Sequence, residues 1–406
     1  MRLISIPESK YLDYKVDLMF DAYKWDPQFL DNNTVAKYAL AITESEYEEL
    51  KDLTEKIDKE TIASEEFLNN NLKLVKKLAL PKKITKELKR MENYDSKKHI
   101  RLMRYDFHPI NSDNKWAVSE VNSDVPGGFA ESSLMPKKVI EVLELDKSEF
   151  RFIDFSKIII DEICKKVTPG GRIMFVHCTS FSDDRQVMQF LGDILKQKGY
   201  DVFYGAADHV RFKDKEAISV LSGNEGKIDL IFRFTPLEWI KDIKPKHWDG
   251  YFDTITCSCN HPIAIFAQTK RFPLIWELLE KEGIDLSYWK KYLPKTFEVK
   301  DVKNDDKFIF KPACGRVGEK ISIKEACRDD EYVRILKDVK KHPKKYLAQE
   351  KFESKALKAD DGKEYHVCLG SYTVNGLHSG FYARISNLPR IDSNAADIPV
   401  IIERDK

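Results

Sequence analysis

Four polar residues in the first third of the chain are spaced for chemistry. Arg104 and Asp106 lie two positions apart, as do Glu120 and Asn122, and side chains two apart on a strand share a face. Residues 100–107 and 116–122 have the texture of strands, and Asn111, Ser112, Asp113 and Asn114 between them favour a turn. A hairpin folded about Asp113 sets Asp106 across from Glu120 and Arg104 across from Asn122, all on one face. Leu102, Tyr105, Phe107 and Val121 then supply the apolar face that such a hairpin must bury. Like charges directly opposite one another destabilise a sheet unless a cation lies between them. Two carboxylates and an amide oxygen, with no thiol or imidazole, suit a hard cation such as Mg2+. The bland alternative is a solvent-facing hairpin.

A second set lies far downstream. Residues 307–310 form a hydrophobic strand that delivers Lys311 into a loop containing Gly315, Arg316 and Gly318. Glycines let backbone N–H groups approach a phosphate, and the basic side chains supply charge. Alone this signal is weak. Gln349 and Glu350 end a short strand that could meet an adenine edge. Residues 365–374 and 379–384 read as paired strands around Asn375-Gly376.

The elements that must position these residues fall into distinct textures. Residues 1–95 read as mostly helical: Thr43 and Glu46 form a capping box ahead of Tyr47, Leu50, Leu53 and Ile57, and a second helix is expected over 65–78, stopped by Pro81. From Gly170 onward, strands at 172–177, 201–204 and 229–234 alternate with helical stretches such as 183–198, which predicts a small parallel α/β domain. Neither a dinucleotide fingerprint nor a G-x-x-x-x-G-K-[ST] loop occurs.

The 406 residues leave room for two or three cores, and the formal charge of +1 gives no support to a nucleic-acid or polybasic membrane-binding role. Seven scattered cysteines without framework spacing fit a reducing cytoplasm. No apolar run suits a signal peptide or a membrane span. Cys257, Cys259 and His261 lack a second ligand pair at zinc spacing, so a zinc site is not expected there.

Taken in order, R-x-D at Arg104, E-x-N-x-D-x-P at Glu120, F-x-K-P-x-x-G-R-x-G-E at Lys311, the Gln349-Glu350 strand and Y-x-R at Arg384 resemble the glutathionylspermidine synthase family of ATP-grasp carboxylate–amine ligases. The resemblance runs with gaps from about residue 99 to about 387. It implies an ATP-grasp fold of mixed α/β class, with a pre-ATP-grasp parallel α/β domain and an N-terminal helical region. The implied division is 1–95 helical, 96–150 a metal-binding hairpin of the core, 151–265 the pre-ATP-grasp-like domain, and 266–406 the lid and nucleotide-binding core.

Carried over by position, Asp106, Glu120 and Asn122 would hold magnesium. Arg104 and Arg384 would steady the acyl phosphate and the transferred phosphoryl group. Lys270, Lys311, Gly315, Arg316, Gly318, Gln349 and Glu350 would bind ATP. The implied partners are a small-molecule carboxylate (a peptide or amino acid) and an amine, with ATP and Mg2+ as cofactors and no nucleic acid or membrane. Some members also carry an amidase domain with a catalytic cysteine; with Cys164 the first cysteine, only the synthetase part is expected. The competing readings are a small-molecule kinase that stops at phosphorylation and a nucleotide-binding protein without turnover.

Overall fold

The computed structural model describes the chain except residues 26, 27, 30, 31, 92–94, 241, 245, 246, 304, 305, 316, 317 and 406. At its centre is an antiparallel sheet in the order Ala396–Ile398, Leu377–Ser386, Glu364–Val374, Leu102–Pro109, Trp116–Asn122. The hairpin register is the expected one at the charged residues: Arg104 pairs with Asn122 and Asp106 with Glu120. Beyond them the register shifts, because Ser119 is an extra residue in a β-bulge, and Phe107 pairs with Val118. The second hairpin turns at Asn375 and Gly376, both at positive φ, as an Asn-Gly turn requires.

Tyr105, Phe107 and Val121 share one apolar cluster with the helix Glu44–Asn70. Leu102 does not join them. It alternates with Tyr105 and falls in the other large cluster with Tyr372 and Val374, as period-two geometry demands. The helix begins with the capping box, Thr43 N–H donating to Glu46 Oε2 at 2.9 Å and Glu46 N–H to Thr43 Oγ1 at 3.1 Å. It then runs unbroken through Glu65, where a second helix was expected, and only a short turn, Leu74–Leu78, follows. Its polar middle is buried: Thr54 meets Ser371, Thr61 accepts from Trp289, and Asp58 and Glu65 share Arg101.

Residues 1–95 also contain strands absent from the sequence reading. Arg2–Ser5 and Tyr38–Thr43 join Val400–Glu403 and Phe150–Arg151 in a sheet that ties the chain ends together. The parallel sheet is as expected, in the order Cys257–Cys259, Leu230–Arg233, Arg172–Val176, Asp201–Gly205. Asp124 locks it to the hairpin, accepting from Arg233 and, at 2.7 Å, from Leu237 N–H.

A fourth sheet, Thr296–Phe297, Tyr346–Glu350, Phe308–Pro312, is backed by the helix Asp329–Lys341. Alternation divides its residues cleanly. Phe310, Tyr346 and Ala348 pack with Ile335 and Val339 in a small core of their own, while Lys311, Leu347 and Gln349 face the other way, toward the central hairpin. Among the described residues no helix is long and apolar enough to cross a membrane.

Candidate functional site

The charged face of the central sheet is laid out by register. Glu120, Asp106, Gly370 and Tyr382 form one row across four strands, and Arg384, opposite Cys368 and Asp397, lies on the same face. Gly370 is needed there: a Cβ would stand 2.6 Å from Arg104 Cδ, so only glycine lets that arginine lie across the sheet. Arg104 forks onto Asp106, with Nε at 2.8 Å and Nη2 at 3.1 Å, and donates from Nη1 to Gly127 O at 3.0 Å. Its guanidinium lies 4.9 Å from the centroid of the Tyr382 ring. Asn122 Nδ2 donates to Asp106 Oδ2 at 2.9 Å.

Glu120 pairs with Lys270, 2.6 Å from Nζ to Oε2, and Lys270 also donates to Gly315 O at 2.7 Å. Burial pushes the Glu120 carboxyl up, but Lys270, Lys311 and Arg104 outweigh it and hold the group below its usual value. Lys311 reaches Ser119 O at 3.2 Å. Burial pulls its ammonium down to about 8, against the opposing pull of Glu120. The β-bulge turns the Ser119 carbonyl to meet it.

Beside these lysines a cleft opens between the hairpin and the fourth sheet, walled by Val121, Trp276, Trp289, Leu293, Leu347 and Gln349. Gln349 Nε2 donates to Thr296 Oγ1 at 3.1 Å. Its Oε1 is buried without a hydrogen-bond partner among the described residues, an acceptor suited to an amino group entering the cleft. Glu350, the next residue, points to the other side of the strand and does not line the cleft. Gly315 and Gly318 flank Arg316, which lies outside the described residues.

Among the described residues no three His, Cys, Asp or Glu side chains cluster as a metal group; a cation here would rest on Asp106, Glu120 and the Asn122 amide. Those oxygens fit a hard cation in kind. Both carboxylates are held by basic side chains, Arg104 and Lys270, so positive charge is what the row calls for.

Arg384 donates from Nη2 to the Asp392 and Ala395 carbonyls, at 2.7 and 2.9 Å, and its Nε lies 3.6 Å from Asp397. Asp397 also accepts from Tyr382 at 2.6 Å and pairs with Lys24 at 2.9 Å; Lys24 in turn pairs with Glu131 at 3.1 Å. The sequence reading gave no role to Tyr382, Asp397, Lys24 or Glu131. Only the Y-x-R spacing pointed at Tyr382.

Comparison with curated protein sequences gives no match. Among solved structures, a glutathione synthetase-like effector from Globodera pallida aligns over 97% of this chain and 96% of its own, with a TM-score of 0.66 at 12% identity, which is a likeness of fold. A putative gamma-glutamylcysteine synthetase from Methylobacillus flagellatus covers 84% of this chain and 86% of its own at 14% identity, with a TM-score of 0.45. The family model described as glutathionylspermidine synthase pre-ATP-grasp matches residues 15–403, and the protein belongs to that family.

Proposed function

We propose that the protein is an ATP-dependent carboxylate–amine ligase that activates its carboxylate as an acyl phosphate. Family membership supports a ligase of this kind. The observation that carries the finer reading is the shared cleft: Lys270, Lys311 and the acceptor of Gln349 line the same space that Glu120 enters from the hairpin.

In this reading the apolar walls take adenine, with its amino group on Gln349 Oε1. Lys270 and Lys311 hold phosphate oxygens, and the loop through Gly315 and Gly318 covers them. Asp106, Glu120 and Asn122 would hold magnesium, which offsets charge on the phosphates. Lys270 and Arg104 now neutralise Glu120 and Asp106; with a cation on those carboxylates, both side chains are released toward phosphate. Arg104 and Arg384 then face the carboxylate as it becomes an acyl phosphate. Transfer of this kind depends chiefly on positioning and charge neutralisation, so no protein nucleophile is required. The amine displaces phosphate and leaves the amide.

The test is isotopic. After a screen of carboxylates crossed with amines for ADP release, the active carboxylate is labelled with heavy oxygen; labelled inorganic phosphate should appear in step with amide. A stable phosphorylated product, with no label in free phosphate, would instead identify a kinase. Arg384→Met should lower turnover roughly 10²- to 10³-fold and leave ATP affinity nearly unchanged, because the charge it meets develops during transfer.

A further inference from the structure

Arg384 is held in place by a loop as well as by Asp397 of its own sheet. Both carbonyls that accept from its guanidinium, Asp392 O and Ala395 O, belong to residues 387–395, which join the strand Leu377–Ser386 to Ala396–Ile398. That loop in turn is gripped by the fourth sheet's unit at two independent points. Arg390 donates from Nη1 to Glu331 Oε1 at 2.8 Å and from Nη2 to Oε2 at 3.4 Å. Glu331 stands in the first turn of the helix that backs the lid sheet. The same guanidinium reaches Cys327 Sγ at 3.0 Å and turns back through Nε to Asp392 Oδ2 at 2.9 Å. Separately, the phosphate loop presses on the same segment: a Cβ at Gly318 would lie 2.5 Å from Ile391 O.

A chain of charge-assisted bonds therefore runs from Glu331 through Arg390 and Asp392 to Arg384. Its first pair is well sheltered, with 11% of the Arg390 side chain and 27% of Glu331 exposed. Forked arginine–carboxylate bonds fix direction as well as distance, so a shift of the lid helix moves the Asp392 carbonyl, and with it the guanidinium that bears on the charged face.

We infer that Arg390 is a positioning residue that makes the placement of Arg384 depend on the position of the lid. This rests on the reading that the fourth sheet covers the nucleotide and that Arg384 faces the transferred phosphoryl group. Its consequence is that Arg384 reaches its working position only when the lid is seated. Activated carboxylate is then not formed in an open, wet site.

The comparison can be made on the full chain without nucleotide, so it stands apart from the ATP reading. Arginine side chains are labelled with 15N, and the Arg384 Nε–H signal is assigned by its loss in Arg384→Met. Glu331→Gln should shift or broaden that signal and speed amide exchange across 390–395 by about tenfold or more, the worth of one charge-assisted bond. Asp330→Asn, on the same helical turn, should do neither. Arg390→Lys, which lies outside the lid and keeps the charge but not the fork, should also disturb the Arg384 signal. If Glu331→Gln and Arg390→Lys both leave that signal and the loop exchange as Asp330→Asn does, the inference fails.

A second arm adds magnesium and a non-hydrolysable ATP analogue. Exchange in 313–320 should slow in the unaltered chain and in Glu331→Gln, but slowing at 390–395 should require Glu331. No slowing at 313–320 in the unaltered chain defeats the nucleotide reading alone. Slowing at 390–395 that persists without Glu331 defeats the coupling alone.

Discussion

The central hairpin and the lid sheet meet at one cleft, yet they are held by different means. The hairpin is buried on both faces. Its apolar side is packed under the helix Glu44–Asn70, and Tyr105 donates to Asp58 inside that interface. Its charged side is cross-linked by Arg104, Lys270 and Asn122. The lid has only a small core around Phe310, Ile335, Val339, Tyr346 and Ala348. It reaches the rest of the molecule largely through polar contacts: Lys311 to Ser119 O, Lys270 to Gly315 O, Arg271 to Tyr346 O, and Glu331 to Arg390. Bonds of this kind, each from a charged donor, can exchange for water at a net cost of about 1.5–3 kcal/mol each, whereas buried apolar surface has no such exchange. We expect this sheet to open as a unit before the hairpin wall does.

The sharpest way to break that contrast is to remove one ring from each side. Phe107 and Phe310 are both almost fully buried, and deleting a buried phenylalanine ring costs about 3–5 kcal/mol. Phe107→Ala should lower the midpoint of global unfolding. Phe310→Ala should raise amide exchange in Phe308–Pro312 and Tyr346–Glu350 while the strand Leu102–Pro109 keeps its protection. Equal loss of global stability from both substitutions, with a single cooperative transition, would mean that the lid is no separate unit.

The same contrast explains what the sequence made legible. Alternation and a turn-rich loop were enough to set Asp106 against Glu120, because both signals are local. The bulge at Ser119 was not, since it is defined by the partner strand and by Lys311 from the lid. The unbroken helix through Thr61 and Glu65 was hidden because its polar residues are buried by Arg101, Tyr105 and Trp289, which lie far along the chain. The strand Tyr38–Thr43 pairs with Val400–Glu403 and carried no local turn to announce it. Tyr382, Asp397 and Lys24 become neighbours only after three separate segments are folded together.

The next contrast is electrical. Glu120 on the hairpin is held below its usual pKa and stays ionised, whereas Lys311 on the lid, pulled by burial from 10.5 to about 8, changes charge just above neutrality. Below pH 8 the lysine is protonated and ready for phosphate. Above it the nucleotide must bring in a proton, so ATP affinity should fall by up to about tenfold per pH unit, about 1.4 kcal/mol. Folding stability moves the other way: the unfolded chain keeps this proton up to the ordinary lysine value, so the cost that burying the ammonium imposes on folding is relieved from about pH 8 to 10.5. Calorimetry at pH 7, 8.5 and 9.5, in buffers of different ionisation enthalpy, should register the proton uptake. Lys311→Arg should flatten the dependence; a slope unchanged by that substitution would assign it to another group.

The smallest effect expected is at the far wall of the cleft, where the proposed reading puts the base against Gln349. Gln349 donates to Thr296 and keeps its Oε1 buried, beside Leu347 and Leu293, without a hydrogen-bond partner among the described residues. A buried acceptor left empty is costly, and one neutral hydrogen bond made there contributes about 1 kcal/mol, roughly a five-fold change in binding. ATP, with its exocyclic amine, should bind about five-fold more tightly than purine riboside triphosphate, which has hydrogen in its place. Gln349→Leu should erase that ratio while leaving the purine riboside nucleotide nearly unaffected, because the apolar walls and the two lysines remain. The four affinities form a double-mutant cycle in which only the pairwise contact survives subtraction. If the ratio persists in Gln349→Leu, the amine is read by something other than this side chain. If both nucleotides weaken equally, Gln349 acts through Thr296 on the shape of the lid strand, and the lid contributes cover without selecting the base.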